Sequence, residues 1–170
     1  DSAGDGQAQP AAGLAGVPAA HEPQLDPVQL VARDADAVVG HGDLDQPATL
    51  APSLRDVRSV FLLPGYRDMP GLLAAVRDAG VDRVVQLSGG SAGSGDMGNA
   101  ISAYMIRSER AVFESGLPWT VLRPAAFMSN ALRWVHKLAA GNILRLPFAT
   151  VRTATIDPAD VAAVAAEALL

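Results

Sequence analysis

Three short, continuously apolar runs alternate with helical patterns from Ser59 onwards, and this alternation constrains the fold most. The runs are SVFLL (Ser59–Leu63), RVVQLS (Arg83–Ser88) and WTVLR (Trp119–Arg123). Strands that are apolar throughout belong to sheets buried on both faces, which is typical of parallel sheets. Strands joined by helices form right-handed crossovers. The sequence therefore predicts an α/β fold, a doubly wound, mostly parallel sheet with helices on both faces.

The segments between and after these runs carry helix starts and stops. RDMPGLLAAVRDAG begins with Asp68 as a capping residue and ends at Gly80, and DPADVAAVAAEALL has Asp157 as a cap before Pro158. SAYMIRSERAVFESG stops at Gly116, and FMSNALRWVHKLAAG is predicted to be one helix. PATLAPSLRDV is predicted to form a short helix, and NILRLPF a further strand.

The first 27 residues differ from the rest of the chain. They contain four glycines and four prolines and show no helical or strand period, so they are typical of a linker or a disordered segment. We place the domain at residues 28–170 and predict a strand at Val28–Arg33. The chain begins at Asp1 rather than Met and ends on an apolar helix, so we expect a fragment, incomplete at the N-terminus.

Composition argues against several classes of function. The net charge of the 170 residues is −5 and the basic residues form no stripe, which argues against a nucleic-acid partner. There is no Cys, and His21, His41 and His136 are far apart, so we expect no metal site. We find neither an apolar run of membrane-spanning length nor a signal-peptide pattern. We therefore expect a cytoplasmic protein without a membrane partner.

A glycine-rich stretch after the second apolar run raises the question of a phosphate site. Gly90 and Gly95 have the spacing of a P-loop, but Asp96 stands where Lys is required and would repel phosphate. GSGDMG (Gly93–Gly98) matches the letters of a dinucleotide fingerprint, yet it contains Asp96 and precedes the predicted helix by several residues. We interpret the stretch as a connection at the carboxyl end of a central strand, where open α/β sheets bind ligands.

Five stretches carry a resemblance to a known family: GDLDQPATL, VFLLPG, AGVDRVVQLS, SAYMIRSERAVFESGLPWTVLRPAAFMSNAL and TATIDPADVAAVA. Together they resemble the NmrA-like group of atypical short-chain dehydrogenases, over about residues 38–170. The segment ESGLPWTVLRPAAFMSN is quite specific. The resemblance implies a Rossmann-like fold, NAD(P) as the cofactor and an NAD(P)H-dependent oxidoreductase.

The resemblance also implies which residues contact the cofactor. For Asp43 the alternative to a cofactor contact is a role as a turn or helix cap. For Leu63 and Phe127 the alternative to a cofactor contact is plain core packing. The implied residues are Asp43 and Leu44 at the adenine, Leu63, Pro64 and Gly65 along the dinucleotide, Ser88 and Gly89 beside the nicotinamide, and Pro124, Ala125, Ala126 and Phe127 over its ring.

The chain departs from the family at the pyrophosphate site. Family members open with a strand and a G-x-x-G-x-x-G turn, whereas the glycines of AAGLAGVPAA follow no apolar strand. Without that strand, Ser59–Leu63 would keep an unpaired edge, which favours association into a homo-oligomer. Val28–Arg33 either fills the gap or is the family's second strand. In the second case Arg33 would contact a 2′-phosphate, which slightly favours NADP; the alternative is a solvated arginine at a strand end.

A second departure concerns catalysis. Relatives use Y-x-x-x-K, in which Tyr transfers a proton while Lys lowers its pKa and holds the ribose. Alignment on Glu109 places Ile101 at the Tyr position and Met105 at the Lys position, and neither side chain transfers protons. Tyr104 is the candidate catalytic residue, although the shift by one residue turns it about 100° around the helix. The alternative is a half-buried packing Tyr.

Three functions stay open at this point. The first is an NAD(P)H-dependent oxidoreductase acting on quinones or similar small carbonyl-type acceptors, with hydride transfer from the cofactor needing no protein acid. The second is a non-catalytic NAD(P)-binding sensor or regulator. The third is an inactive partial gene product. We expect the family's C-terminal substrate part to be missing, and the sequence does not identify the substrate.

Overall fold

The computed structural model describes residues 40–141, 143–145 and 150–170. Its main sheet has three parallel strands in the order β1, β2, β3. They are β1 (Ser59–Leu62), β2 (Arg83–Leu87) and β3 (Trp119–Leu122). Val85 in β2 pairs with Phe61 in β1 and with Thr120 in β3. The three strands and their parallel arrangement are confirmed, and each strand ends one residue before its apolar run does.

The described part contains the helices α1 (Met69–Asp78), α2 (Ala100–Glu114), α3 (Val135–Gly141) and α4 (Pro158–Leu169). Asp68 and Asp157 cap α1 and α4, each accepting a hydrogen bond of 2.9 Å from a backbone amide of the first turn. Asn99 caps α2 in the same way, which we did not predict. Gly80 and Gly116 follow α1 and α2 with positive φ angles of 82° and 77°, a conformation that favours glycine. The predicted helix ends are therefore confirmed there.

Two predicted helices are shorter than expected. FMSNALRWVHKLAAG begins with a 3-10 helix (Met128–Trp134) before α3, and Ser129 and Asn130 near its start are residues that compete for backbone hydrogen bonds. PATLAPSLRDV holds a 3-10 helix (Pro47–Leu50) followed by turns, because Pro52 lacks the amide that a continuing helix needs.

The predicted strand NILRLPF is not found in the part of it that the structure describes, residues 143–145. A second, two-stranded parallel sheet was not predicted. It joins β4 (Ala126–Phe127) to β5 (Thr155–Ile156). Segments of two residues carry no periodicity, so only the tertiary structure reveals them.

The main sheet separates two helical layers. Leu62 and Val84 belong to a core that includes residues of α1 and α2. On the opposite face, Ser59 Oγ donates a hydrogen bond of 2.8 Å to the carbonyl of Leu169 in α4. Helices on both faces are thus confirmed. The buried core cluster is Leu54, Leu62, Met69, Leu72, Leu73, Val76, Val81, Val84, Val112 and Leu117.

One edge of β1 pairs with β2, and no other strand among the described residues pairs with its second edge. The predicted strand Val28–Arg33 and the linker-like residues 1–27 lie outside the described residues. Across residues 40–141, 143–145 and 150–170, no helix has the length and hydrophobicity that crossing a membrane requires.

Candidate functional site

The loops that follow β2 and β3 meet at the carboxyl edge of the sheet. Ser88 N donates a hydrogen bond of 2.7 Å to Leu122 O, and Gly90 N donates one of 2.9 Å to Pro124 O. A Cβ on Gly90 would lie 3.3 Å from Ala125 Cα, so the two backbones are in close contact. The structure therefore brings together the residues that the resemblance assigns to the nicotinamide end.

The loop after β1 forms the neighbouring part of this edge. Leu63 is 48% exposed, so its alternative role as a core residue is wrong. Gly65 has a φ of 98°, and its amide donates a hydrogen bond of 2.9 Å to Ser108 Oγ on α2. A Cβ on Gly65 would lie 3.2 Å from the ring of Tyr104. Tyr104 thus packs against the loop after β1.

The loop containing Asp43 and Leu44 is joined to the loop after β1. Asp45 Oδ1 accepts a hydrogen bond of 2.8 Å from Arg67 N. The Asp43 carboxylate accepts hydrogen bonds from Asp45 N at 2.9 Å and from Gln46 Nε2 at 2.8 Å, so Asp43 has the turn-stabilising role considered for it. Leu44 is partly buried and packs against the core.

Met105 is the residue that alignment on Glu109 places at the Lys position of Y-x-x-x-K, and its side chain reaches the end of β2. Its sulfur would lie 2.7 Å from a Cβ on Gly89, and Ser91 Oγ donates a hydrogen bond of 3.6 Å to it. Ile101, at the Tyr position, is 61% exposed. Among the residues that the structure describes, the edge of the sheet beside Gly89 therefore carries a thioether and no proton donor of the Y-x-x-x-K type.

Phe127 lies on β4 and lines an apolar cavity of about 530 Å³ between the sheet and α4. Phe61, Leu87 and Val161 line the same cavity. Phe127 is partly buried, so its side chain is neither a fully buried core residue nor fully exposed to solvent. Its position places an aromatic ring directly after the loop formed by Pro124 and Ala125.

An ion pair between Glu109 and Arg123, which we did not predict as part of the site, lies beside the loops after β2 and β3. Glu109 on α2 is 3% exposed, and its carboxylate accepts two hydrogen bonds from the Arg123 guanidinium, one of them 2.8 Å long from Nε. Burial by itself would raise the pKa of Glu109, but the hydrogen bonds from Arg123 and a contact with Ser88 hold that pKa below its usual value. The contact with Ser88 Oγ falls short of full hydrogen-bond geometry, so Arg123 is the main partner. In the sequence, Glu109 stands three positions before Val112, and residues with this spacing share one face of a helix. A glutamate on the apolar face of α2 was therefore the signal that could have indicated a buried ion pair.

The glycine-rich stretch is folded on itself. Residues Gly90–Ser94 form a 3-10 helix, and Ser94 Oγ donates a hydrogen bond of 2.7 Å to Ser91 O. Asp96 Oδ1 accepts a hydrogen bond of 2.8 Å from Gly98 N. The stretch is a connection between β2 and α2 and not a tight strand-to-helix turn. Within the described residues, no cluster of three or more His, Asp or Glu side chains is placed to bind a metal ion.

A parallel sheet between two helical layers, with its loops gathered at the carboxyl edge, defines an α/β protein with a Rossmann-like architecture. A family model described as NAD(P)H-binding matches residues 21–170. The chain therefore belongs to this NAD(P)H-binding family, and its membership of the NmrA-like group of atypical short-chain dehydrogenases is confirmed.

Two curated relatives are reductases. The chain is 36% identical over 146 residues to (4-alkanoyl-5-oxo-2,5-dihydrofuran-3-yl)methyl phosphate reductase of Streptomyces griseus, covering 84% of this chain and 52% of that protein. It is 33% identical over 133 residues to NAD(P)H azoreductase of Xenophilus azovorans, covering 75% of this chain and 46% of that protein. The chain spans about half the length of these relatives.

Two solved structures share the fold. The NADPH complex of an NADPH-dependent quinone oxidoreductase from Escherichia coli has a TM-score of 0.67 at 20% identity, covering 76% of this chain and 47% of that chain. A nucleoside-diphosphate-sugar epimerase from Staphylococcus aureus has a TM-score of 0.59 at 20% identity, covering 71% and 46%. At this level of identity the comparison shows the Rossmann-like fold.

Proposed function

We propose that this chain is the NAD(P)-binding part of an NAD(P)H-dependent oxidoreductase. The observation that carries the proposal is the contact between Ser88–Gly90 and Pro124–Ala125 at the carboxyl edge of the parallel sheet, where open α/β sheets bind ligands. The two reductase relatives support a reductase activity.

The described residues suit the two ends of a dinucleotide. At the adenine end, Asp43 and Leu44 lie in a loop that is hydrogen-bonded to the loop after β1, and Leu63 offers exposed apolar surface there. At the nicotinamide end, Ser88 and Gly89 directly follow β2 and lie beside the loop formed by Pro124 and Ala125. The glycine turn for the pyrophosphate is not among the described residues. We propose as cofactor contacts Asp43, Leu44, Leu63, Pro64, Gly65, Ser88, Gly89, Pro124, Ala125, Ala126 and Phe127.

The side chains near Gly89 bear on the source of the proton for the proposed reaction. When bound, NAD(P)H supplies a hydride. Met105 beside Gly89 supplies no proton, and Tyr104 packs against Gly65 instead, which favours the packing role for Tyr104. We therefore propose that the proton comes from water. A quinone suits this chemistry, because hydride and one proton convert it to a hydroquinone while the cofactor becomes NAD(P)⁺.

Several finer points belong to the same proposal. Arg33, outside the described residues, would contact the 2′-phosphate and give a slight preference for NADP. We place the domain at residues 28–170 after a linker at residues 1–27, in a cytoplasmic protein. No strand among the described residues pairs with the second edge of β1, and an unpaired edge favours a homo-oligomer. A monomeric mass in light scattering would contradict this.

Titration of the purified chain with NADPH and NADH in a calorimeter tests the proposal first. We expect micromolar binding, and oxidation of the reduced cofactor when 1,4-naphthoquinone is added. Leu63→Asp places a negative charge on the apolar surface proposed to contact the adenosine half of the anionic cofactor, and should weaken binding about tenfold or more. Val164→Asp is the matched control, since Val164 is 53% exposed on α4. Absence of binding at millimolar cofactor would contradict the proposal and favour an inactive partial product.

A non-catalytic NAD(P)-binding sensor is the second candidate function. It is favoured by Ile101 and Met105, which replace the proton-transferring pair of the catalytic relatives. Binding in the calorimeter without oxidation of NADPH by any of a panel of quinones and azo dyes would establish it over the reductase.

A further inference from the structure

Two consecutive residues of α2 each hold a different loop of the proposed cleft. Ser108 is 2% exposed and Glu109 is 3% exposed, so both side chains point away from solvent. Ser108 Oγ accepts the amide hydrogen of Gly65 and donates to Tyr104 O, both at 2.9 Å. The Glu109 carboxylate binds the guanidinium of Arg123. Helix α2 therefore contacts both the loop after β1 and the loop after β3.

The ion pair is placed to control the nicotinamide end. Arg123 directly precedes Pro124, whose carbonyl accepts the hydrogen bond from Gly90 N. Because Gly90 and Ala125 are in close contact, a shift of Arg123 is transmitted to the loop after β2. The bidentate geometry defines the direction of the guanidinium plane as well as its distance from α2.

We propose, on the basis of the proposed function, that Glu109 is a positioning residue for the nicotinamide half of the cofactor, while Ser108 positions the adenosine half. Neither residue contacts the reacting atoms. Glu109 acts through Arg123 on the loops after β2 and β3, which are in contact at Gly90 and Ala125. Ser108 acts through the Gly65 amide on the loop beside the adenine.

Glu109→Gln tests this division, because it keeps the shape of the side chain and removes its charge. The probes are NADPH, which spans both halves, and adenosine 2′,5′-bisphosphate, which occupies the adenosine half alone. We expect Glu109→Gln to raise the Kd of NADPH about tenfold, since a charge-assisted hydrogen bond supporting the loop is lost. The Kd of the bisphosphate should stay within about twofold of the wild-type value.

Two further variants make the test specific. Ser108→Ala removes the acceptor of the Gly65 amide and should weaken both probes by a similar factor. Glu114→Gln breaks an exposed ion pair with Arg110 on the same helix and should change neither Kd. If Glu109→Gln fails to fold, Arg123→Lys replaces it, because Lys keeps the charge but loses the bidentate contact.

The outcomes separate this inference from the function on which it rests. If wild-type protein binds NADPH and Glu109→Gln weakens both probes equally, Glu109 has only a structural role and the inference fails. An unchanged Kd for NADPH would also overturn it while leaving the proposed function in place. If wild-type protein binds neither probe, the proposed function fails and this inference fails with it.

Discussion

At the scale of single residues, Glu109 links the stability of the fold to pH. Arg123 and Ser88 outweigh the effect of burial and hold the pKa of this carboxyl below its usual value, whereas an unfolded glutamate has a pKa of about 4.3. A group with a lowered pKa in the folded state stabilises the fold above its unfolded pKa. That stabilisation is lost as the pH falls through the folded pKa.

Glu109→Gln should therefore alter the acid limb of the stability curve. At neutral pH we expect it to lower the free energy of unfolding by about 1–3 kcal/mol, because a charge-assisted hydrogen bond to the half-exposed Arg123 is lost. Between about pH 6 and pH 3 the variant should lose less stability than wild type. Urea unfolding at a series of pH values measures both. Parallel pH curves for the two proteins would contradict the assignment.

Leu72 tests the packing of the core at the same scale. Its side chain is 1% exposed among the residues of α1 and the sheet. Leu72→Ala should lower the free energy of unfolding by about 2–5 kcal/mol, through lost burial and a cavity. Leu132→Ala, at a position that is 69% exposed, should stay within about 0.5 kcal/mol. Equal losses for the two variants, measured by chemical denaturation, would show that Leu72 is not in the core.

At the scale of elements, the start of α1 depends on Asp68. Its carboxylate accepts the hydrogen bond from Gly71 N, and a Cβ on Gly71 would collide with it at 2.1 Å. Asp68→Ala should lower the free energy of unfolding by about 1 kcal/mol, whereas Asp68→Asn keeps an acceptor and should change it little. Thermal unfolding followed by circular dichroism compares them. If both variants match wild type, the cap contributes nothing to stability.

The helices and strands also show which structural features local sequence predicts correctly. The caps Asp68 and Asp157 and the stop at Gly80 were predicted, because each acts within one turn of its helix. The 3-10 helix Met128–Trp134 was predicted as part of a longer helix, since its apolar spacing does not distinguish the two forms. The pairing of β4 with β5 was not predicted, because it joins residues about thirty positions apart.

At the scale of the whole molecule, cofactor binding should be visible as added stability. A ligand that binds only the folded state raises the free energy of unfolding by about 2.7 kcal/mol at a hundred times its Kd. We expect the Tm to rise with the logarithm of NADPH concentration in differential scanning fluorimetry. Leu63→Asp should show a smaller rise at every concentration. A Tm that does not change up to millimolar NADPH would contradict cofactor binding by this chain.

The alternation of β1, β2 and β3 with helices, the caps Asp68 and Asp157, and the family were determined by the sequence alone. These depend on short apolar runs and on residues that act on their immediate neighbours. The tertiary structure alone decided that Met105 lies against Gly89, that Ser108 holds the Gly65 amide and that Glu109 binds Arg123. Such contacts join residues distant along the chain, and they depend on how α2 crosses the sheet and which way each side chain points. No local pattern encodes that crossing, so only the folded chain reveals how the candidate site is supported.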